Sequence, residues 1–216
     1  MSRPKGSRGK DYAAKRQELV RLIQAHVLAH PTERSSLRQF AEVCGVSLPT
    51  ILHYFDNRQG VAEAVLQLSF QDAEPMLVAS AQPIGDLATC VRTKLNYIQI
   101  AFRRFGLSQL NMWGLSEGLG DQMSGPAYLT YFLEPSLQSC EACLKHYQEV
   151  GEVAAHIDIR FAALNMLSPL ILLLMHQDGL GGCQVREADV DVFIDHHTRS
   201  FCRAVGVCKV DACPLP

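Results

Sequence analysis

Cys140 and Cys143 form a C-x-x-C pair, the spacing at which two sulfurs can share a zinc ion or close a reversible disulfide. Six further cysteines stand at positions 44, 90, 183, 202, 208 and 213. No second pair follows at ribbon or finger spacing, and no histidine follows Cys202, Cys208 and Cys213 where a ligand would be needed. The histidines His156, His176, His196 and His197 share the C-terminal part with Asp178 and Asp195, which invites a catalytic reading. That reading needs a constellation, and the chain has no H-E-x-x-H, no G-x-S-x-G and no paired-acid spacing. These residues therefore predict no catalytic centre, no metal site and no cofactor, and the chain is not expected to be an enzyme. Most of the cysteines read as small core or surface residues held reduced in a cytoplasmic setting. A helical enzyme, or a thiol- or metal-responsive sensor, is the alternative.

A different chemistry gathers between residues 36 and 60, where polar side chains punctuate two short apolar patterns. Ser36 and Gln39 have the spacing of a capping box, and Leu37, Phe40, Ala41 and Cys44 then share one helical face. Gly45 stands where that helix must stop, Ser47 can cap a second one, and Pro49 falls early enough not to break it. The second helix is predicted over residues 48–54, with Ile51 and Phe55 inward, and Asp56 or Asn57 caps a third. Two helices joined by a glycine turn, the second short and polar outside, is the layout of a helix-turn-helix.

The run Gly45-Val46-Ser47-x-Pro49-Thr50-Ile51-Leu52-His53-Tyr54-Phe55-x-Asn57-Arg58 resembles the DNA-binding signature of the TetR family of transcriptional regulators. The likeness is specific over about fifty residues; beyond them only length and helical pattern agree. Leu52 departs from the pattern, which usually has a phosphate-touching tyrosine there, and Arg58 replaces the usual lysine. The resemblance implies that Leu48, Pro49, Thr50 and His53 reach base edges or adjacent phosphates, while Ser36, Arg38, Tyr54 and Arg58 hold the DNA backbone, with Ser47 also among the DNA-binding residues. It implies double-stranded operator DNA, a small-molecule effector and a second copy of the chain as partners, with repression as the more common outcome.

Charge agrees with a DNA-facing N-terminus. Residues 1–60 hold ten Lys/Arg against five Asp/Glu, and the remainder holds ten against seventeen. Residues 1–9 form a basic Gly/Ser-containing stretch, read as a flexible arm; it either lies along a minor groove or is an ordinary solvated terminus. It shows no apolar segment of the secretory kind. Residues 10–57 are expected to make the helix-turn-helix domain, with a first helix over 11–30 burying Tyr12, Leu19, Val20, Ile23 and Val27.

Residues 58–216 are expected to form a larger helical body for effector binding and dimerisation. Its first helix runs to Glu74, before Pro75; others are predicted over 86–105, 108–119, 126–149, 158–176 and 187–205. Pro135 and Pro169 should kink or split two of them, and residues 118–125 and 179–182 read as loops. Nothing alternates with period two, so the fold class is all-α. The apolar run over residues 164–175 is a dozen residues against the roughly twenty that a membrane span needs, and reads as a buried helix, with no membrane partner.

By the resemblance the effector lies within the body, where Tyr97, Phe105, Asn111, Met112, Trp113, Tyr128 and Phe132, with Asn165 and His176, would suit a hydrophobic, weakly polar molecule. The apolar faces of the last two helices, through Leu170, Leu174, Val190, Phe193, Ile194, His197 and Phe201, are expected to pair with a second chain.

Overall fold

The structure, a computed structural model, describes residues 7–121 and 123–206. The expected arm falls mostly on residues 1–6, which lie outside the described residues, as do Cys208 and Cys213. Among the described residues every regular element is helical, and the sole β-type pairing is one isolated bridge between Val153 and Gly206. The chain divides into two compact units. Of the described residues, one takes in those up to Ala73 together with those of Gln109–Leu133; the other takes in Glu74–Ser108 and the described residues from Glu134 on.

The first unit opens with α1 (Ser7–Ala29), which starts four residues earlier than the periodicity suggests. α2 (Leu37–Val43) and α3 (Leu48–Phe55) follow, then the N-terminal part of α4 (Arg58–Ser80). Most of α6 (Leu107–Gly120), α7 (Gly125–Tyr128) and a π-helical turn over Leu129–Leu133 complete it. Leu19, Ile23, Phe40, Ile51, Val65, Leu66 and Trp113 make one core from four of these helices and α6, all nearly or fully buried. Each such large apolar side chain contributes about 1.5–3 kcal/mol on burial. Tyr12 is not among them: the expected stripe on α1 begins at Leu19, and Tyr12 lies at the surface.

The second unit is a bundle of α5 (Leu87–Arg104), α8 (Glu134–Glu149), α9 (Ile159–Leu174) and α11 (Val190–Val205), with a π turn Met175–Gly179 and the short α10 (Gly182–Val185) between the last two. Side-chain caps set its helix starts: Asp86, Asp158 and Asp189 each accept a hydrogen bond from a backbone N–H of the first turn. Leu95, Leu137, Leu144, Met166, Leu167 and Ile194 fill its centre.

The prolines act less strongly than their type suggests. α4 does not stop at Glu74 but runs through Pro75 to Ser80, and α9 continues through Pro169 without splitting. Pro135 is the second residue of α8, which follows without a break from the π turn over Leu129–Leu133, so the expected helix over 126–149 changes its hydrogen-bond pattern just ahead of this proline. The expected loop at 118–125 shrinks because α6 reaches Gly120; that at 179–182 shrinks to Leu180 and Gly181, with Gly181 left-handed at φ 71°. α9 with its π turn forms a 21-residue apolar helix, Ile159–Gly179, long enough by length and composition alone to cross a membrane. Its Ala162, Ala163, Met166, Leu170 and Leu174 are buried inside the second unit.

Candidate nucleic-acid interface

α2 and α3 are shaped by their own caps. Ser36 Oγ accepts from the Gln39 N–H at 3.3 Å while Gln39 Oε1 accepts from the Ser36 N–H at 2.7 Å, a complete capping box. Gly45, left-handed at φ 61°, turns the chain, and Ser47 Oγ accepts from the Thr50 N–H at 3.3 Å to start α3. Ser47 Oγ and Thr50 Oγ1 also lie 2.8 Å apart, so both hydroxyls are fixed before any ligand arrives. Ile51 and Phe55 face the core, which leaves Pro49, Leu52 and His53 outward on the same two turns.

Eight of the nine expected DNA-facing residues lie on α2 and α3 or their N-caps. Ser36, Arg38, Ser47, Pro49 and His53 are exposed; Leu48, Thr50 and Tyr54 are half-buried. Tyr54 is held by a residue that periodicity assigns to the core. The Tyr12 ring stacks on it at 4.6 Å between centroids and meets the His53 ring edge-on at 5.6 Å. Tyr12 sits seven residues before Leu19, in phase with the buried stripe of α1, so nothing in the pattern distinguishes it.

Arg58 departs from the expected set. Its Nε donates to Glu117 Oε2 at 2.8 Å, its Nη2 to Glu117 Oε1 and its Nη1 to the Ser35 carbonyl. The guanidinium also lies 6.0 Å from the centre of the Phe40 ring. A bidentate pair with a buried carboxylate takes the donors that a phosphate would need, so Arg58 joins α4 to α6 rather than facing outward. Glu117 was legible in principle, being the sole charged residue of α6.

The expected effector residues divide between the units. Asn111, Trp113 and Tyr128 are buried in the first, with Met112 and Phe132 half-buried beside them in sequence. Tyr128 donates to Asn111 Oδ1 at 2.6 Å and stacks on Phe132 at 5.3 Å; burial raises its phenol to about 12, so it stays a donor. Asn111 Nδ2 and Trp113 Nε1 are buried without a hydrogen-bond partner. Tyr97, Phe105, Asn165 and His176 belong to the second unit and are exposed, so they do not join that cluster as buried lining. A groove of about 390 Å³ between α1 and α4 is lined by Tyr12, Arg16, Val20 and Leu68, none of them in the expected set.

The expected pairing face also needs correction. Leu170, Leu174, Val190, Ile194 and Phe201 are buried within the second unit of a single chain, leaving no surface for a partner to cover. Half-buried Phe193 stacks on His197 at 5.4 Å, and His197 Nε2 lies 3.0 Å from the Met166 carbonyl. The exposed apolar residues of these helices are instead Phe161 (69 %), Leu172 (65 %) and Val192 (64 %). Phe161, Asn165, Ser168 and Leu172 follow one exposed stripe of α9 at helical spacing.

Comparison with solved structures settles what this architecture is. Salmonella enterica GusR superposes with a TM-score of 0.65 over 88 % of this chain and 96 % of its own, at 16 % identity. SmeT, the repressor of the Stenotrophomonas maltophilia multidrug efflux pump SmeDEF, gives 0.61 over 93 % and 97 %, at 15 % identity. A TetR-family transcriptional regulator from Cytophaga hutchinsonii gives 0.62 over 92 % and 98 %, at 14 % identity. This is the TetR-regulator fold. The match spans nearly the whole of each chain, so the TetR fold accounts for the helical body as well as for α1–α3. No family model matches the sequence, and no curated protein does.

Proposed function

We propose that this chain is a DNA-binding transcriptional repressor that acts as a cytoplasmic homodimer on a palindromic operator and is released by a small hydrophobic effector. The observation that carries the reading is the outward face of α2 and α3, where Ser47 and Thr50 are set by their caps and His53 and Tyr54 by ring contacts with Tyr12, beside the exposed Arg38 on the basic part of the chain. Leu48, Pro49, Thr50 and His53 reach base edges, while Ser36, Arg38 and Tyr54 hold the backbone. Arg58 supports them from behind through Glu117. Dimerisation uses the exposed stripe of α9 with Val192 of α11.

The effector is best sought at Asn111, Trp113 and Tyr128, where two buried donors lack acceptors. A mostly apolar molecule with one or two acceptor oxygens answers that need. SmeT's role as a repressor favours repression over activation here. Retardation of a duplex carrying the chain's own promoter, with release by an effector that also changes Trp113 emission, is the expected result. A chain that binds promoter and random duplexes alike would remove the operator from this reading.

A further inference from the structure

α3 ends in three aromatic rings in a row, His53, Tyr54 and Phe55, and α1 touches all three from two positions one turn apart. The Tyr12 ring stacks on Tyr54 at 4.6 Å with the planes 29° apart, and meets the His53 ring edge-on at 5.6 Å and 87°. His53 and Tyr54 also meet each other edge-on at 5.1 Å, so the three rings form one cluster. Arg16, four residues after Tyr12 and therefore on the same face of α1, places its guanidinium 5.3 Å from the centre of the Phe55 ring. Phe55 is anchored in the core in any case, but Tyr54 is only half-buried and His53 is exposed. For those two side chains the contact with Tyr12 takes the place of core packing.

The backbone at the same point needs a partner too. Asp56 closes α3 with a positive φ of 61°, and the Asn57 N–H then bonds to the Phe55 carbonyl at 2.6 Å instead of reaching back four residues to His53. The His53 carbonyl is thus left open at the helix end, and the Tyr12 hydroxyl donates to it at 3.5 Å. Tyr12 holds the ring of His53 and its peptide at once. A side chain ordered only on binding loses rotamer freedom at that step; one already held in the free protein does not.

We infer that Tyr12 is a positioning residue for sequence readout, holding His53 and Tyr54 in the orientation from which α3 meets DNA. The inference rests on the DNA-binding reading above and adds to it a residue outside α2 and α3. Base-edge contacts depend on the direction of the side chain, whereas attraction to phosphate is shared by every sequence. Loss of the Tyr12 ring therefore acts on the distinction between operator and other DNA more than on affinity for DNA in general. Tyr12 is 39 % exposed, so its truncation takes little from the core.

The test is competition anisotropy at matched salt with the full-length wild type, Tyr12→Ala and Tyr12→Phe, on the promoter duplex and on a scrambled one. Tyr12→Ala is expected to lower the preference for the promoter about tenfold, with a much smaller change on the scrambled duplex. Tyr12→Phe keeps the ring and loses only a long hydrogen bond, so it retains the preference within about twofold. In a His53→Ala background Tyr12→Ala changes the preference little further, because the residue through which it acts is gone. In the DNA-free wild type, the ring protons of Tyr12 and Tyr54 show mutual nuclear Overhauser effects. The role of Tyr12 is overturned if Tyr12→Ala keeps the preference, if it weakens binding to both duplexes alike, or if those Overhauser effects are absent. The last of these needs no variant to fold. A wild-type chain without any preference overturns the DNA-binding reading and this role together, whereas a preference that survives Tyr12→Ala overturns the role alone.

Discussion

Arg38 and Arg58, twenty residues apart, have opposite surroundings. Arg38 is exposed on α2, with its charge free to meet a phosphate; Arg58 spends its donors on Glu117 and Ser35. Arg38→Ala should therefore weaken binding to all duplexes alike and reduce the log–log salt slope by about 0.9 for each phosphate that is no longer neutralised. A slope that does not move in an anisotropy titration would remove Arg38 from the interface. Arg58→Ala should act on stability instead, because it leaves the Glu117 carboxylate buried and unpaired. A loss on the order of 3 kcal/mol in urea denaturation is expected, with Glu117→Gln milder because the amide keeps one acceptor. A fall in salt slope without loss of stability would return Arg58 to the DNA face. The identity of Arg58 was readable from the motif, but its direction was not. Only the placement of α6 against the start of α4 reveals that a carboxylate is waiting there.

At the scale of elements, caps and glycines position the interface. A Cβ at Gly60 would stand 2.0 Å from the Phe55 carbonyl oxygen, so α4 can begin this close to the end of α3 only with glycine there. Gly60→Ala should shift α3 and cost about 1–3 kcal/mol, with operator affinity falling further than that of a surface variant of equal stability. An alanine variant with unchanged melting and unchanged affinity would refute the close approach. Ser36, Gln39, Gly45, Ser47 and Pro49 fix α2 and α3 from local chemistry alone, which is why those two helices were legible to within a residue. The helices of the second unit were legible at Asp86 and Asp158, which cap α5 and α9, whereas the last one was expected from residue 187 and starts only after its Asp189 cap. Pro75 misled, and Pro169 does not split its helix. Pro75 and Pro169 each remove one hydrogen bond from long helices that retain the rest, and propensity does not say when packing outweighs that loss.

On the scale of the whole molecule, the pairing face turns on which side of α9 and α11 remains uncovered. Periodicity locates an apolar stripe but cannot tell a stripe that closes the chain's own core from one that meets a second copy. Here Leu170 and Ile194 do the first, while Phe161, Leu172 and Val192 stay exposed and are the residues to which the proposal gives the second role. Leu172→Asp should give a folded monomer in sedimentation velocity at micromolar concentration, whereas a dimer that survives it would place the interface elsewhere. In the dimer the two copies of α3 are expected about 34–36 Å apart, one turn of DNA, so that a palindrome is read symmetrically. The measurement that bears most directly on this account is anisotropy of a labelled duplex carrying the chain's own promoter palindrome, titrated with wild type and with His53→Ala at matched salt. The account predicts tight, salt-dependent binding at two chains per duplex, with His53→Ala losing preference for the promoter over a scrambled duplex. Equal affinity of the wild-type chain for promoter and scrambled DNA, or no binding to either, would contradict it.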